Sequence, residues 1–188
     1  MTNKSQTFMS HLLEFLKHRS VGTVVPSSSF LGKKMYGNID FSKAVLVVEF
    51  GPGCGAFTKN ILAKINPNCT LILFETNTVF YNKLTTSIKD KRVIILNKNA
   101  EQIGDLLAVK NMGKADYIFS SIPLALIPKG VKRSILQNAV SNLKPNGKYI
   151  QFQYSLADYK LLKKHFNRVR LKFTMLNFPP AFVYSCSV

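Results

Sequence analysis

The chain has 188 residues, enough for one domain with a substantial core, and its 46% hydrophobic content excludes an intrinsically disordered protein. Against 26 Lys and Arg stand only nine Asp and Glu, a formal charge of +17, so the surface attracts polyanions such as nucleic acid or an anionic membrane. Cys54, Cys69 and Cys186 are odd in number, with no CxxC and no histidine at zinc-ligand spacing, which points to reduced thiols rather than a disulfide framework or a structural metal.

The first predicted element is a helix: Phe8, Met9, Leu12, Leu13, Phe15 and Leu16 share one broad face, while His11, Glu14, Lys17 and His18 lie elsewhere. Its apolar run is interrupted by His11 and Glu14 and followed by Lys17 and Arg19, unlike a secretory leader, and no run reaches the ~18 apolar residues of a membrane span. Such a helix either docks on its own core or lies in a membrane interface, with Lys4, Lys17, Arg19, Lys33 and Lys34 meeting anionic headgroups. Beyond it, strand-like segments at 44–50, 70–75, 92–96, 115–121 and 148–154 alternate with helical patterns near 55–66, 77–88, 100–109 and 128–142. That alternation predicts a parallel sheet covered on both faces. A further helical stretch, 155–166, precedes two strands around Pro179 and Pro180, expected as a hairpin at the sheet edge. Seven strands result, in a mostly parallel α/β sheet with an antiparallel C-terminal edge.

The stretch VLVVEFGPGCGAFTKNIL, Val45 to Leu62, passes from buried strand through Gly51, Gly53 and Gly55 into a helix. At the carboxyl end of a strand in an open α/β sheet, glycines let the backbone approach a ligand. Gly51, Gly53 and Ala56 also fit the dinucleotide pattern G-x-G-x-x-G/A. Glu49, two residues before Gly51, decides between ligands: it would repel a pyrophosphate but suits S-adenosylmethionine, which has no phosphate and carries an ammonium and a sulfonium. Glu75 closes the second strand, where an acid accepts ribose hydroxyls of either cofactor.

E-x-G-x-G-x-G at 49–55 resembles the first motif of the class I S-adenosylmethionine-dependent methyltransferases, a Rossmann-like fold. With RSVGTVVPSSSFLGKKM (19–35), SIPLALIP (121–128) and NFPPAFVY (177–184), the chain resembles the bacterial phospholipid N-methyltransferases, which convert phosphatidylethanolamine to phosphatidylcholine, and the related ornithine-lipid N-methyltransferases. The resemblance implies residues 1–36 as amphipathic helix and cofactor lid, and 37–188 as the S-adenosylmethionine-binding core of a single domain. In the lid, Val25, Pro26, Ser27 and Ser28 would cover the cofactor. The segment Glu49, Gly51, Pro52, Gly53 and Gly55 would hold its methionine part, Glu75 its ribose, and Asn99 and Ala100 its adenine, Asn99 standing where such enzymes often have Asp. Ser120 would border the cofactor, and Ser121, Ile122 and Pro123 the acceptor, in place of the Asn-x-Pro-aromatic signature of ribosomal RNA adenine dimethyltransferases. There Pro123 would aim backbone carbonyls at the acceptor nitrogen, and Leu124 and Ile127 would offer apolar surface. Tyr154, ending the fifth strand, would contact the lipid amine, with Tyr184 a second candidate. Residues 129–172 carry eleven Lys and Arg against Asp158 alone. They imply an anionic membrane surface and a lipid substrate as partners, with no obligatory nucleic acid. The expectation is a monomeric cytoplasmic enzyme held peripherally at the inner face of the cell membrane. The alternatives are an rRNA adenine N6-methyltransferase and a non-catalytic basic domain binding membrane or nucleic acid.

Overall fold

Leu46–Phe50 (β1), buried at all five positions, is an interior strand, third in order, of a seven-stranded sheet. The structure, a computed structural model, describes residues 29–37, 39–175 and 180–188. Thr70–Phe74 (β2), Val93–Leu96 (β3), Ala115–Ser120 (β4) and Leu143–Gln153 (β5) join β1 in parallel, and Arg168–Thr174 (β6) and Ala181–Ser187 (β7) pair antiparallel, giving the order β3-β2-β1-β4-β5-β7-β6. β7 inserts between β5 and β6, so the edge hairpin presents β6 as its free strand. The mixed sheet is therefore the one expected from the alternation of segments.

Alternation along the strands sorts the core into two layers. Leu46, Val48 and Phe50 face one cluster with Ile103, Leu106 and Leu107 of α4 (Ile103–Val109), Ile135, Leu136 and Ala139 of α5 (Lys129–Ser141), and Leu162 of α6 (Tyr159–His165). Val47 faces the other, with Leu31, Met35 and Tyr36 of α1 (Ser29–Tyr36), Phe57 and Ile61 of α2 (Ala56–Leu62), and Leu84 of α3 (Thr78–Ser87). The phase that buries Val47 also directs Glu49 to the α1–α3 side.

The sequence misplaces one boundary. β5 starts at Leu143, five residues before the expected 148, because the Pro145–Gly147 stretch follows β4 through a register shift; a Cβ on Gly147 would stand 2.9 Å from the Asp116 carbonyl oxygen. Helix α1 lies inside the segment read as lid and packs over β5, β6 and β7. The helix expected around residues 8–16 lies outside the described residues, as do Val25, Pro26, Ser27 and Ser28. No helix among the described residues is long and apolar enough to cross a membrane.

Candidate active site

β1 pairs with β2 on one side and β4 on the other, so the chain reverses direction across the sheet between β1 and β4. Ligands of open α/β sheets bind at that switch, beyond the carboxyl ends of the strands. Here the glycine turn follows β1. Gly51, Gly53 and Gly55 have φ of 65°, 57° and 82°, left-handed values that cost a Cβ-bearing residue about 1–2 kcal/mol. The turn is pinned by Gly51 N–H to the Phe74 carbonyl (2.9 Å) and Gly55 N–H to the Pro52 carbonyl (3.0 Å). A Cβ on Gly55 would meet Leu84 at 3.0 Å and one on Gly51 would meet Ile122 at 3.2 Å, whereas nothing lies within 4 Å of one on Gly53.

Two carboxylates flank this turn in contrasting states. Glu75 accepts from Gly53 N–H and Asn77 N–H, both at 2.9 Å, and so ties the turn to the end of β2. Glu49 is fully buried; its Oε2 accepts from Thr58 Oγ1 at 2.7 Å, and its Oε1 has no partner among the described residues. Burial raises its pKa to about 7; the Thr58 hydrogen bond opposes the rise and the nearby Glu75 charge adds to it.

A cavity of about 470 Å³ opens beside the turn. Gly51, Gly53, Glu75, Asn99, Ala100, Ser121, Ile122, Pro123 and Ile127, expected from the sequence, line it with Asn77, Phe80, Lys98, Val131 and Ile135, which were not. Asn99 accepts from Glu101 N–H (3.0 Å) and donates to Glu101 Oε2 (2.9 Å), capping the short turn Ala100–Gln102 at the cavity wall. Pro52 and Gly55 are buried within the loop, and Ser120 is fully buried, its Oγ accepting from Ile122 N–H at 3.4 Å. Ser120 therefore braces the loop behind the cavity and does not line it.

The acceptor loop is held from beneath. Gln151 Nε2 donates to the carbonyls of Ser120 (3.2 Å) and Ile122 (3.0 Å), and Gln153 Nε2 donates to that of Ile122 (2.9 Å). Tyr149 Oη donates to Gln151 Oε1 at 2.5 Å. The Ile122 carbonyl, expected to aim at a substrate nitrogen, is thus engaged by two glutamines. Lys132 Nζ holds the loop further on, reaching the Leu124 carbonyl (3.2 Å) and Asp158 Oδ1 (2.6 Å). Leu124 itself is fully buried in the core, so its side chain offers no surface to an acceptor; Ile127 does line the cavity.

Tyr154 is half-buried beyond the end of β5, on the α1–α3 side with Phe152, whose ring it meets edge-on at 5.6 Å. It does not line the 470 Å³ cavity. Tyr184 is fully buried and donates to the Ser155 carbonyl (3.2 Å), supporting the turn after Tyr154 without reaching a ligand surface. Thr58, Asn77, Gln151 and Gln153 are the residues around the site that the sequence reading missed. Polar Gln151 and Gln153, alternating with Ile150 and Phe152, were the available signal.

A sheet of order β3-β2-β1-β4-β5-β7-β6 with a glycine turn after β1 and an acid after β2 is the class I methyltransferase fold. Precorrin-6y C5,15-methyltransferase from Geobacter metallireducens superposes with a TM-score of 0.69 at 11% identity, covering 88% of this chain and 91% of that one. Human methyltransferase-like protein 13 in complex with SAH gives 0.65 at 16% identity, covering 84% and 82%. In sequence, the chain is 27% identical over 182 residues, 95% of each chain, to the ornithine lipid N-methyltransferase of Singulisphaera acidiphila. No family model matches the chain.

Proposed function

We propose that this chain is an S-adenosylmethionine-dependent N-methyltransferase acting on the amine head group of a membrane lipid, phosphatidylethanolamine towards phosphatidylcholine. The observation that carries the reading is Glu49: a fully buried carboxylate whose Oε1 has no partner among the described residues, under a glycine turn, asks for a cationic ligand and disfavours a phosphate. The open space at Gly53 and the rim position of Glu75 fit such a ligand's main chain and ribose. When bound, S-adenosylmethionine supplies a methyl group on a sulfonium, an electrophile whose leaving group is a neutral thioether.

In this reading the protein's own residues hold and orient. Glu49 and the turn fix the cationic end, Glu75 accepts ribose hydroxyls, Asn99 and Ala100 border the adenine, and Val25, Pro26, Ser27 and Ser28, outside the described residues, are the cofactor lid the resemblance implies. Ser121, at the cavity wall, holds the lipid amine, which reacts through its lone pair after losing a proton to water. Ser121 stands where base methyltransferases use Asn. The buried Leu124 removes the aromatic platform a flipped adenine needs. The relative's name supports an ornithine lipid as a second amine substrate.

Purified protein is given labelled donor with mixed vesicles containing phosphatidylethanolamine, with ornithine lipid, or with ribosomal RNA, and products are separated by solvent extraction. Label in the organic phase is expected. Label in ornithine lipid alone would move the substrate, label in RNA alone would promote the adenine reading, and no label with any acceptor would leave a non-catalytic binding domain.

A further inference from the structure

Strand β6 reads Arg168, Val169, Arg170, Leu171, Lys172, Phe173, Thr174, with Met175 following, and contains no acid. Being the outermost strand, it exposes side chains on both faces of the sheet beside a free backbone edge. On one face Arg168, Arg170 and Lys172 join Lys148 of β5 and the hydroxyl residues Ser185 and Ser187 of β7 around a groove of about 190 Å³. The register explains the cluster: Arg168 lies opposite Ser187 and Arg170 opposite Ser185. Arg168, Arg170 and Lys172 form no ion pair with any described residue. Like charges so concentrated repel one another unless an anion sits among them, and guanidinium, ammonium and hydroxyl donors together are phosphate-binding chemistry.

On the opposite face Leu171, Phe173 and Met175 are 40%, 46% and 76% exposed. A basic groove alone would suit RNA equally well. An aliphatic and aromatic stripe interleaved with the cations suits the headgroup region of a bilayer, where apolar side chains enter, cations meet phosphates, and the unpaired strand edge remains hydrated. β6 runs in the same direction as β5, since both are antiparallel to β7, so Phe173 and Met175 lie at the end of the sheet where the cavity opens. Three strand spacings separate β6 from β4, roughly 14 Å.

We propose that the free edge of the β6–β7 hairpin is a membrane-docking surface: its basic groove binds phosphates of anionic phospholipid while Leu171, Phe173 and Met175 enter the headgroup region and set the cavity mouth against the bilayer. The purpose of docking rests on the lipid-methyltransferase reading; the docking itself does not. The chain contains no tryptophan, so Met175→Trp places a single reporter on the hairpin of the full chain. Vesicles containing phosphatidylglycerol should shift its emission to the blue and let brominated acyl chains quench it, and pure phosphatidylcholine vesicles should not. The charge reversal Arg168→Glu/Arg170→Glu/Lys172→Glu should weaken flotation with anionic vesicles by at least about tenfold, given the attraction each basic residue contributes near an anionic surface. An unshifted reporter on vesicles that carry the protein, or unchanged flotation of the charge-reversed variant, would overturn the inference; so would a reporter that responds to RNA and not to vesicles. A water-soluble short-chain amine lipid separates the two claims. Methyl transfer to it without hairpin docking removes the inference and keeps the function, whereas docking with no transfer to any lipid removes the function and keeps the surface.

Discussion

Glu49 is where residue chemistry makes the sharpest prediction. With a folded pKa of about 7 against an ordinary 4.5, the native ligand-free protein binds more protons than the unfolded chain between those values. Its contribution to stability is therefore present below about 4.5 and lost as pH rises through about 7, a loss of roughly 3 kcal/mol for a shift of this size. Glu49→Gln removes that component, so in denaturant titrations the stability difference, variant minus wild type, should grow in the variant's favour from pH 5 to 8. Binding a cationic donor should do the reverse. Calorimetry in buffers of different ionisation enthalpy should show proton release near pH 7 in the wild type and none in Glu49→Gln, whose donor affinity should fall by about 1–3 kcal/mol. The glycines separate folding from binding in the same way. Gly53→Ala carries only its backbone strain, about 1–2 kcal/mol, because no atom opposes the new methyl, yet that methyl projects where the ligand belongs and should cost more in donor affinity than in stability. Leu124→Phe, which from sequence would be a change on the acceptor side, falls on a fully buried core residue. It should destabilise by about 1–3 kcal/mol through overpacking and leave any stacking on a base unformed.

Between elements, the carboxyl end of β4 is positioned by two devices on neighbouring elements. One is the glutamine pair of β5; the other is the buried Lys132–Asp158 bridge joining α5 to the start of α6, its side chains 13% and 6% exposed. Removing one partner leaves a buried charge, so Lys132→Met should lower the unfolding free energy by about 3–5 kcal/mol, while Lys132→Met/Asp158→Leu should recover most of it; urea titration of both decides. Neither device was legible in the sequence. The strands, the glycine turn and the two acids were, because each is announced locally: a run of branched residues, a repeat of glycine, a carboxylate closing a strand. The Ile122 carbonyl, Leu124 and Ser120 were misjudged because inward and outward positions in a loop depend on partners distant in sequence. Gln151 lies 31 residues from the Ser120 carbonyl it binds, and no periodicity in SIPLALIP reports that contact. Tyr154 was placed correctly at the end of β5, yet strand alternation turns it to the α1–α3 side, away from the cavity lined by Ser121.

Across the whole molecule, the relevant quantity is the field of 26 basic and nine acidic residues. Of the acids, Asp90, Asp116 and Asp158 are held in salt bridges with Arg92, Lys144 and Lys132, and Glu49 is buried and half-protonated near neutrality. The acids are too few to offset the basic residues, so the net field the protein presents is positive. Under the proposed lipid-methyltransferase reading, that field would raise the local concentration at the membrane and have no part in the chemical step. The two roles respond differently to salt. Screening shortens from ~10 Å at 0.1 M to about 4–5 Å at 0.5 M, which weakens surface attraction and leaves buried Glu49 and its ligand nearly untouched. Initial rates on vesicles mixing phosphatidylethanolamine with phosphatidylglycerol should therefore fall by at least about tenfold between 0.05 and 0.5 M salt. Rates on the same amine lipid in a non-ionic detergent should change by no more than about twofold. An equal fall in both assays would place the salt-sensitive step in the site itself, and salt-independent rates on vesicles would mean that the +17 charge serves some other partner.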